Sequence, residues 1–384
     1  MLRMARRLFL AALAALFGNV AAISAADAER YWVYIGTYTS KDGSKGINRC
    51  QLDVKTGKLS EPEVAAAVGS PSFVNLSPDG KFLYAVGESA GKNGGGVYAY
   101  SVDAVTGQLT KLNERSSVGA GPCHVETDPS GKVVLVANYG GGSTTSFAVK
   151  DDGSLSDSVS FMQHKGNSSD KSRQSAPHAH CSAFDASGKF GFVCDLGLDQ
   201  VIVYKVSANG ELSANDPAFI KMPSGCGPRH IHINPKNTIA YVNGELDMTV
   251  NVVKMDVAAG KFEVIQSLST VPEGKPLPGY STAEVRIHPS GKFVYVSNRG
   301  QHSVAAFEVI DGGKLKPIGH IVGNIKTPRG FNIDPSGKWM LVANQDGNSV
   351  RVFEIDQKTG MATKTENVIK VGTPVCVKFL AVAK

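Results

Sequence analysis

A tight-turn signal returns along the chain at intervals close to fifty residues, and this periodicity limits the fold more than any other feature. It reads Pro78-Asp79-Gly80-Lys81, Pro129-Ser130-Gly131-Lys132, Ala186-Ser187-Gly188-Lys189, Pro235-Lys236-Asn237, Pro289-Ser290-Gly291-Lys292 and Pro335-Ser336-Gly337-Lys338. Asp-Gly and Ser-Gly between apolar alternations are β-turn chemistry, because glycine reaches positive φ at no steric cost. A second series of turn glycines follows the first: Gly57, Gly107, Gly153, Gly210, Gly260, Gly313 and Gly360, spaced by 50, 46, 57, 50, 53 and 47 residues. Between the two kinds of turn lie segments such as Lys81–Gly87 with Gly96–Val102, and Phe293–Ser297 with Val304–Val309. They are rich in β-branched and aromatic residues and sustain no helical period.

Each repeat therefore offers about four short strands, as a propeller blade does. Six turns of the first kind against seven of the second place the missing one where the chain is cut. Pro374–Leu380 matches the first strand of a repeat, and Tyr31–Tyr38 matches its second. The prediction is an all-β, seven-bladed β-propeller with four-stranded blades, one blade closed by the N- and C-terminal strands. Such closure leaves no free sheet edge between the termini. No Trp-Asp signature marks the repeats, which disfavours a WD40 scaffold.

Composition agrees. The 384 residues are 42% hydrophobic, too apolar for a disordered chain, and 42 glycines argue against a helical bundle. At the N-terminus, Arg3, Arg6 and Arg7 precede an apolar run from Leu8 to Phe17 and small residues at 22–26. This reads as an export leader over 1–26, of Sec or twin-arginine type, followed by one domain over 27–384. Without the leader's three arginines, 37 basic residues face 34 acidic ones, a net charge near +3. No long basic run exists, so neither nucleic acid nor a membrane surface is an expected partner.

In a propeller the start of each innermost strand and the end of the next lie at one mouth of the central channel. Inner-strand starts bring Cys123, His124, His178, His180, Arg229, His230, Glu284, Arg329 and Cys376 there. Second-strand ends bring Glu88, Asn138, Asp195, Glu245, Asn298, Arg299, Asn344 and Gln345, and the N-terminal strand adds Thr37 and Tyr38. Arg229, Arg299 and Arg329 at one mouth suit an anion, since guanidinium grips carboxylate or phosphate as a fork. The same arginines could instead bridge blades through Glu245, Glu284 or Asp195. The pairs His178/His180 and His230/His232 share a strand face, as chelating pairs do. Three arginines nearby would repel a divalent ion, so no metal or other cofactor is expected. Cys181 and Cys194 flank a turn symmetrically and could form a disulfide or remain free thiols.

Several strings together resemble a known family: residues 175–180 (Ser-Ala-Pro-His-Ala-His), 226–230 (Cys-Gly-Pro-Arg-His), 296–300 (Val-Ser-Asn-Arg-Gly), 328–337, 342–345 and 373–376. They look like the seven-bladed propeller lactonases, which include bacterial 6-phosphogluconolactonases and fungal carboxymuconate-lactonizing enzymes. The resemblance runs from about Tyr31 to Leu380. It implies a metal-free site whose catalytic set falls on His180, Arg229, Glu245 and Arg299. His124, His178, His230, Arg329 and Gln345 are the expected substrate-binding neighbours. Hydrolysis of a small anionic sugar lactone, foremost 6-phospho-D-glucono-1,5-lactone, would then use Glu245 or His180 as general base. Arg229 or Arg299 would hold the oxyanion. Closure of an unsaturated diacid to a lactone is the alternative chemistry, and a non-catalytic binding propeller is the third reading.

Overall fold

The structure is a computed structural model that describes residues 28–88, 95–272 and 278–383. The leader predicted over 1–26 lies outside these residues. Among the described residues, twenty-eight strands form seven four-stranded antiparallel sheets. Blades 1 to 6 follow chain order from innermost to outermost strand, with inner strands Val74–Leu76, Pro122–Thr127, Ala179–Phe184, Pro228–Ile233, Ser281–Ile287 and Pro328–Ile333. Blade 7 joins the termini: Pro374–Ala381 is innermost and pairs with Arg30–Thr37. The missing turn is thus the chain break, as the count of turns requires.

Both turn series have the conformation their residues imply. Gly80, Gly131, Gly188, Gly291 and Gly337 have φ between 71° and 79°, and Asn237 substitutes at 55°. The seven glycines of the second series lie between 61° and 90°. These outer turns also join the blades. The second strand of one blade packs a side chain on the next blade's turn glycine, Trp32 on Gly107, Phe82 on Gly153, Ile239 on Gly313 and Phe293 on Gly360, and at these four turns a tyrosine hydroxyl reaches the glycine carbonyl. Tyr34 donates to Gly107 O at 2.9 Å, Tyr84 to Gly153 O at 3.0 Å, Tyr241 to Gly313 O at 2.9 Å and Tyr295 to Gly360 O at 2.7 Å. At the ring closure Trp339 packs on Gly57 and its Nε1–H donates to Val54 O at 2.7 Å. Aliphatic residues of the middle strands fill the space between sheets, for example Val33, Leu341 and Val352, all fully buried.

One irregularity recurs and decides where side chains point. In blades 2, 3, 4 and 6 the pairing of the inner strand skips its second residue: Cys123, His180, Arg229 and Arg329 have no cross-strand partner. Blade 7 skips Val375, and blade 5 skips Ala283 and Glu284. A β-bulge of this kind bends the strand and re-aims its side chains. The channel is consequently lined by stacked rings, one residue per blade. The skipped residues Cys123, His180, Arg229, Ala283, Arg329 and Val375, joined by Ser72 ahead of the blade 1 inner strand, form an upper ring. Their successors form a middle ring of Phe73, His124, Cys181, His230, Glu284, Gly330 and Cys376. Two residues further on lie Asn75, Glu126, Ala183, His232, Arg286, Asn332 and Lys378.

Candidate active site

The upper mouth holds a cavity of about 270 Å³ lined by Glu88, Cys123, Tyr139, Arg173, His180, Glu245, Ser281, Arg299 and Arg329. At its centre Glu245, only 4% exposed, receives three guanidiniums. Arg173 Nη2 reaches Oε1 at 2.8 Å, while Arg229 Nε and Arg299 Nη2 reach Oε2 at 2.8 and 3.1 Å. Burial alone would raise the Glu245 pKa, but Arg299, Arg229 and Arg173 together hold it well below the usual carboxylate range. A carboxylate so engaged is a poor base. Its role in this geometry is to hold three arginines in one place.

The arginines differ in what remains free. Arg229 is 2% exposed, and besides Glu245 it donates through Nη1 to Ala283 O. Arg299 donates to Thr282 O at 2.8 Å, yet its buried Nε has no partner. Arg329 lies over the Tyr38 ring at 5.4 Å, and its guanidinium donates to no described residue. Tyr38 in turn donates to Glu88 Oε2 at 2.9 Å. The arginines with donors to spare therefore face the cavity.

His180 is buried, with an unpartnered Nδ1. Desolvation pushes its pKa well below the ordinary value, and Arg229, His230, Arg329 and Arg299 push it the same way. Burial and the surrounding cations thus favour the neutral imidazole, which keeps a nitrogen lone pair to accept a proton. Cys123 is also on the cavity wall, but burial drives its thiol pKa up, so it is no thiolate nucleophile.

The four residues that the resemblance named converge: Glu245 binds Arg229 and Arg299 directly, and His180 shares the cavity wall with Glu245, Arg299 and Arg329. Other expected neighbours do not line it. His124 and His230 fall in the middle ring, below the cavity, because the bulge turns the residues after Cys123 and Arg229 the other way. His230 Nδ1 is bonded to Glu284 Oε1 at 2.9 Å, and Glu284 also lies in that lower ring. His178 precedes its strand. It stacks on Tyr139 with ring centroids 4.6 Å apart, behind the cavity wall. Gln345 stands at the mouth by register but is not part of the lining, and its buried Oε1 has no partner. Asn138, Asp195, Asn298 and Asn344 are one residue short of the mouth and are buried, where they tie loops together. Asp195, for example, bonds His164 Nδ1 at 2.6 Å and accepts from His178 N at 2.8 Å. The cysteines at 181 and 194 face each other across paired strands as free thiols.

Three lining residues, Tyr139, Arg173 and Ser281, escaped the sequence reading. Tyr139 lies one position beyond Asn138, and a register counted from the bulge would have found it. Arg173 belongs to the connection between blades 2 and 3, residues 164–178, which is longer than any other connection between blades. Buried Gln174 beside it donates to Leu196 O at 2.8 Å and to Asp199 Oδ1 at 2.7 Å, and this anchors the loop.

Comparison with known proteins agrees with this architecture. The family model described as "Lactonase, 7-bladed beta-propeller" matches residues 32–379. The chain is 36% identical over 352 residues to a 6-phosphogluconolactonase of Bacillus subtilis, covering 91% of this chain and 99% of that one. It is 33% identical over 307 residues to a 6-phosphogluconolactonase of Formosa agariphila, covering 79% and 86%. Among solved structures it resembles the periplasmic gluconolactonase of Pseudomonas aeruginosa, with TM-score 0.86, 30% identity, and 92% and 99% coverage. The chain belongs to the seven-bladed β-propeller lactonase family.

Proposed function

We propose that this protein hydrolyses a sugar δ-lactone, foremost 6-phospho-D-glucono-1,5-lactone, at the upper mouth of its channel. The observation that carries this reading is the surplus of cation. Among the described residues, Arg173, Arg229, Arg299 and Arg329 stand against Glu88 and Glu245 around a cavity sized for one small ligand. The names of the Bacillus subtilis and Formosa agariphila relatives support the same substrate class. Neutral His180 takes a proton from the attacking water as the new C–O bond forms. The unengaged donors of Arg329 and the free Nε of Arg299 receive the carbonyl oxygen as it becomes an oxyanion. Collapse of the tetrahedral intermediate breaks the ring C–O bond, and the alkoxide recovers a proton from His180. General-base help is worth roughly 10²–10⁴-fold and an oxyanion donor about 10²–10³-fold. Glu245 keeps the arginine fence assembled, and half-exposed Arg173 at the rim is the partner for the substrate phosphate. No step calls for a metal.

The likeness to a periplasmic gluconolactonase supports a second reading, in which the lactone carries no phosphate. The deciding assay compares 6-phosphogluconolactone with glucono-1,5-lactone, each corrected for spontaneous opening. A preference for the phosphorylated lactone that disappears in Arg173→Ala supports the first reading. Equal kcat/KM for both supports the second, and no turnover of either removes both. We also propose that residues 1–26 are an export leader ahead of a working unit over 27–384. An intact N-terminus on the protein recovered outside the cytoplasm would refute this.

A further inference from the structure

We infer that His124, Cys181 and His230, one residue from each of three consecutive blades, form a binding site for a single Cu(I) ion in the middle of the channel. None of the three is used in the lactone chemistry above. The His-x-His pairs visible in the sequence do not make this cluster, since His178 stacks on Tyr139 and His232 Nδ1 accepts from Ile287 N. The cluster arises across strands instead, because the bulges bring three equivalent middle-ring positions to the same height.

One ligand atom from each residue lies within 4.8 Å of the other two, and all three side chains are buried. The Cys181 Sγ to His124 Nε2 distance is 3.4 Å. Sulfur and nitrogen bound to one metal stand roughly 3.5–3.7 Å apart, given bond lengths of about 2.3 and 2.0 Å. The supporting shell is also present. His230 Nδ1–H donates to Glu284 Oε1 at 2.9 Å, which leaves Nε2 with its lone pair. This is the carboxylate–histidine arrangement that orients metal-bound imidazoles. His124 Nδ1 stands 3.3 Å from both Ser182 Oγ and Ser182 N, whose N–H donates to it; a metal at Nε2 moves the ring proton to Nδ1, where Ser182 Oγ accepts it in place of that N–H bond. Phe73 stacks on His124 with centroids 3.9 Å apart and holds the ring in place. A cavity of about 360 Å³ toward the lower mouth reaches all three ligands and provides the route in.

Charge and coordination number choose the ion. The charged groups lining that cavity are Glu126 and Glu284 against Arg286 and Lys378, which balance. On binding, the Cys181 thiol releases its proton to solvent and the metal–sulfur bond forms. Cu(I) with a thiolate adds no net charge to this buried place, whereas Zn(II) would add one. Three soft or borderline ligands complete a trigonal Cu(I) site, while structural zinc asks for four.

The test titrates Cu(I) into the purified full chain under anaerobic reducing conditions, against a chromophoric Cu(I) chelator. The expected result is one equivalent withheld by the wild type, at least 100-fold weaker retention in Cys181→Ser, and full retention in Cys50→Ser. Lactone turnover of Cys181→Ser should stay near wild type, which separates loss of the metal site from loss of the fold. Should Cys181→Ser fail to fold, His124→Asn takes its place with the same expectation. No withheld Cu(I), equal retention in the folded variant, preference for Zn(II) over Cu(I), or fewer than six thiols in the unfolded non-reduced protein would each overturn the site.

Discussion

The two ends of the channel are built from the same strands, yet they have opposite electrostatic characters. At the upper mouth four guanidiniums surround Glu245 and Glu88; at the lower, Arg286 and Lys378 are matched by Glu126 and Glu284. Each end has a buried glutamate at its centre. Glu245 binds three arginines, while Glu284 binds Arg286 at 3.3 Å and His230 at 2.9 Å. Surplus cation with unengaged donors makes an anion receptor, and a balanced set makes a neutral socket. Burial of a charged group therefore does not distinguish function from structure here; the unsatisfied remainder does.

This contrast can be broken at several points. Arg329→Ala should have the largest effect, a loss of roughly 10²–10³-fold in kcat/KM for the lactone above spontaneous hydrolysis. Glu284→Gln, at the balanced end, should leave kcat/KM within a few-fold but lower the unfolding free energy by about 3–5 kcal/mol, read by urea denaturation, because Arg286 loses its buried partner. If Glu284→Gln instead abolished turnover in a folded protein, the two mouths would not be separate. A next, smaller effect concerns Glu245→Gln, which should cost at least tenfold in turnover.

Acid stability gives a finer test of the same network. The Glu245 pKa is depressed in the fold, so the unfolded chain binds its proton first as pH falls. Its contribution to stability is complete above the unfolded value near 4.5 and is lost as pH falls below it. The wild type should lose more denaturation midpoint between pH 5 and pH 3 than Glu245→Gln does. Equal losses would mean that the arginines do not hold the carboxylate. Arg173→Ala is the mildest change, about tenfold in KM for the phosphorylated lactone with kcat retained, since Arg173 stands at the rim with 41% of its side chain exposed.

Much of the ring was legible before any coordinate. The turn glycines at 57, 107 and 153 and the Pro-Ser-Gly-Lys turns state their conformation locally, because a tight turn closes within four residues. The match of Pro374–Leu380 to a first strand and of Tyr31–Tyr38 to a second foretold the closing blade. The mouth was only partly legible. His180, Arg229, Glu245 and Arg299 were found together, but neighbours such as His124 and His230 were put in the same layer. Simple strand alternation cannot see a bulge, and one extra residue sends Arg229 to Glu245 and His230 to Glu284.

Sequence alone settled the number of blades, the turn chemistry and the family, since all three are written in local, repeated patterns. Tertiary structure decided which side chains meet. Arg173 reaches Glu245 from the longest connection between blades, and His124, Cys181 and His230 meet only because separate blades share a height. The reason is physical: a turn is set by a few adjacent dihedral angles, whereas a site at the axis depends on the pairing register of several sheets at once.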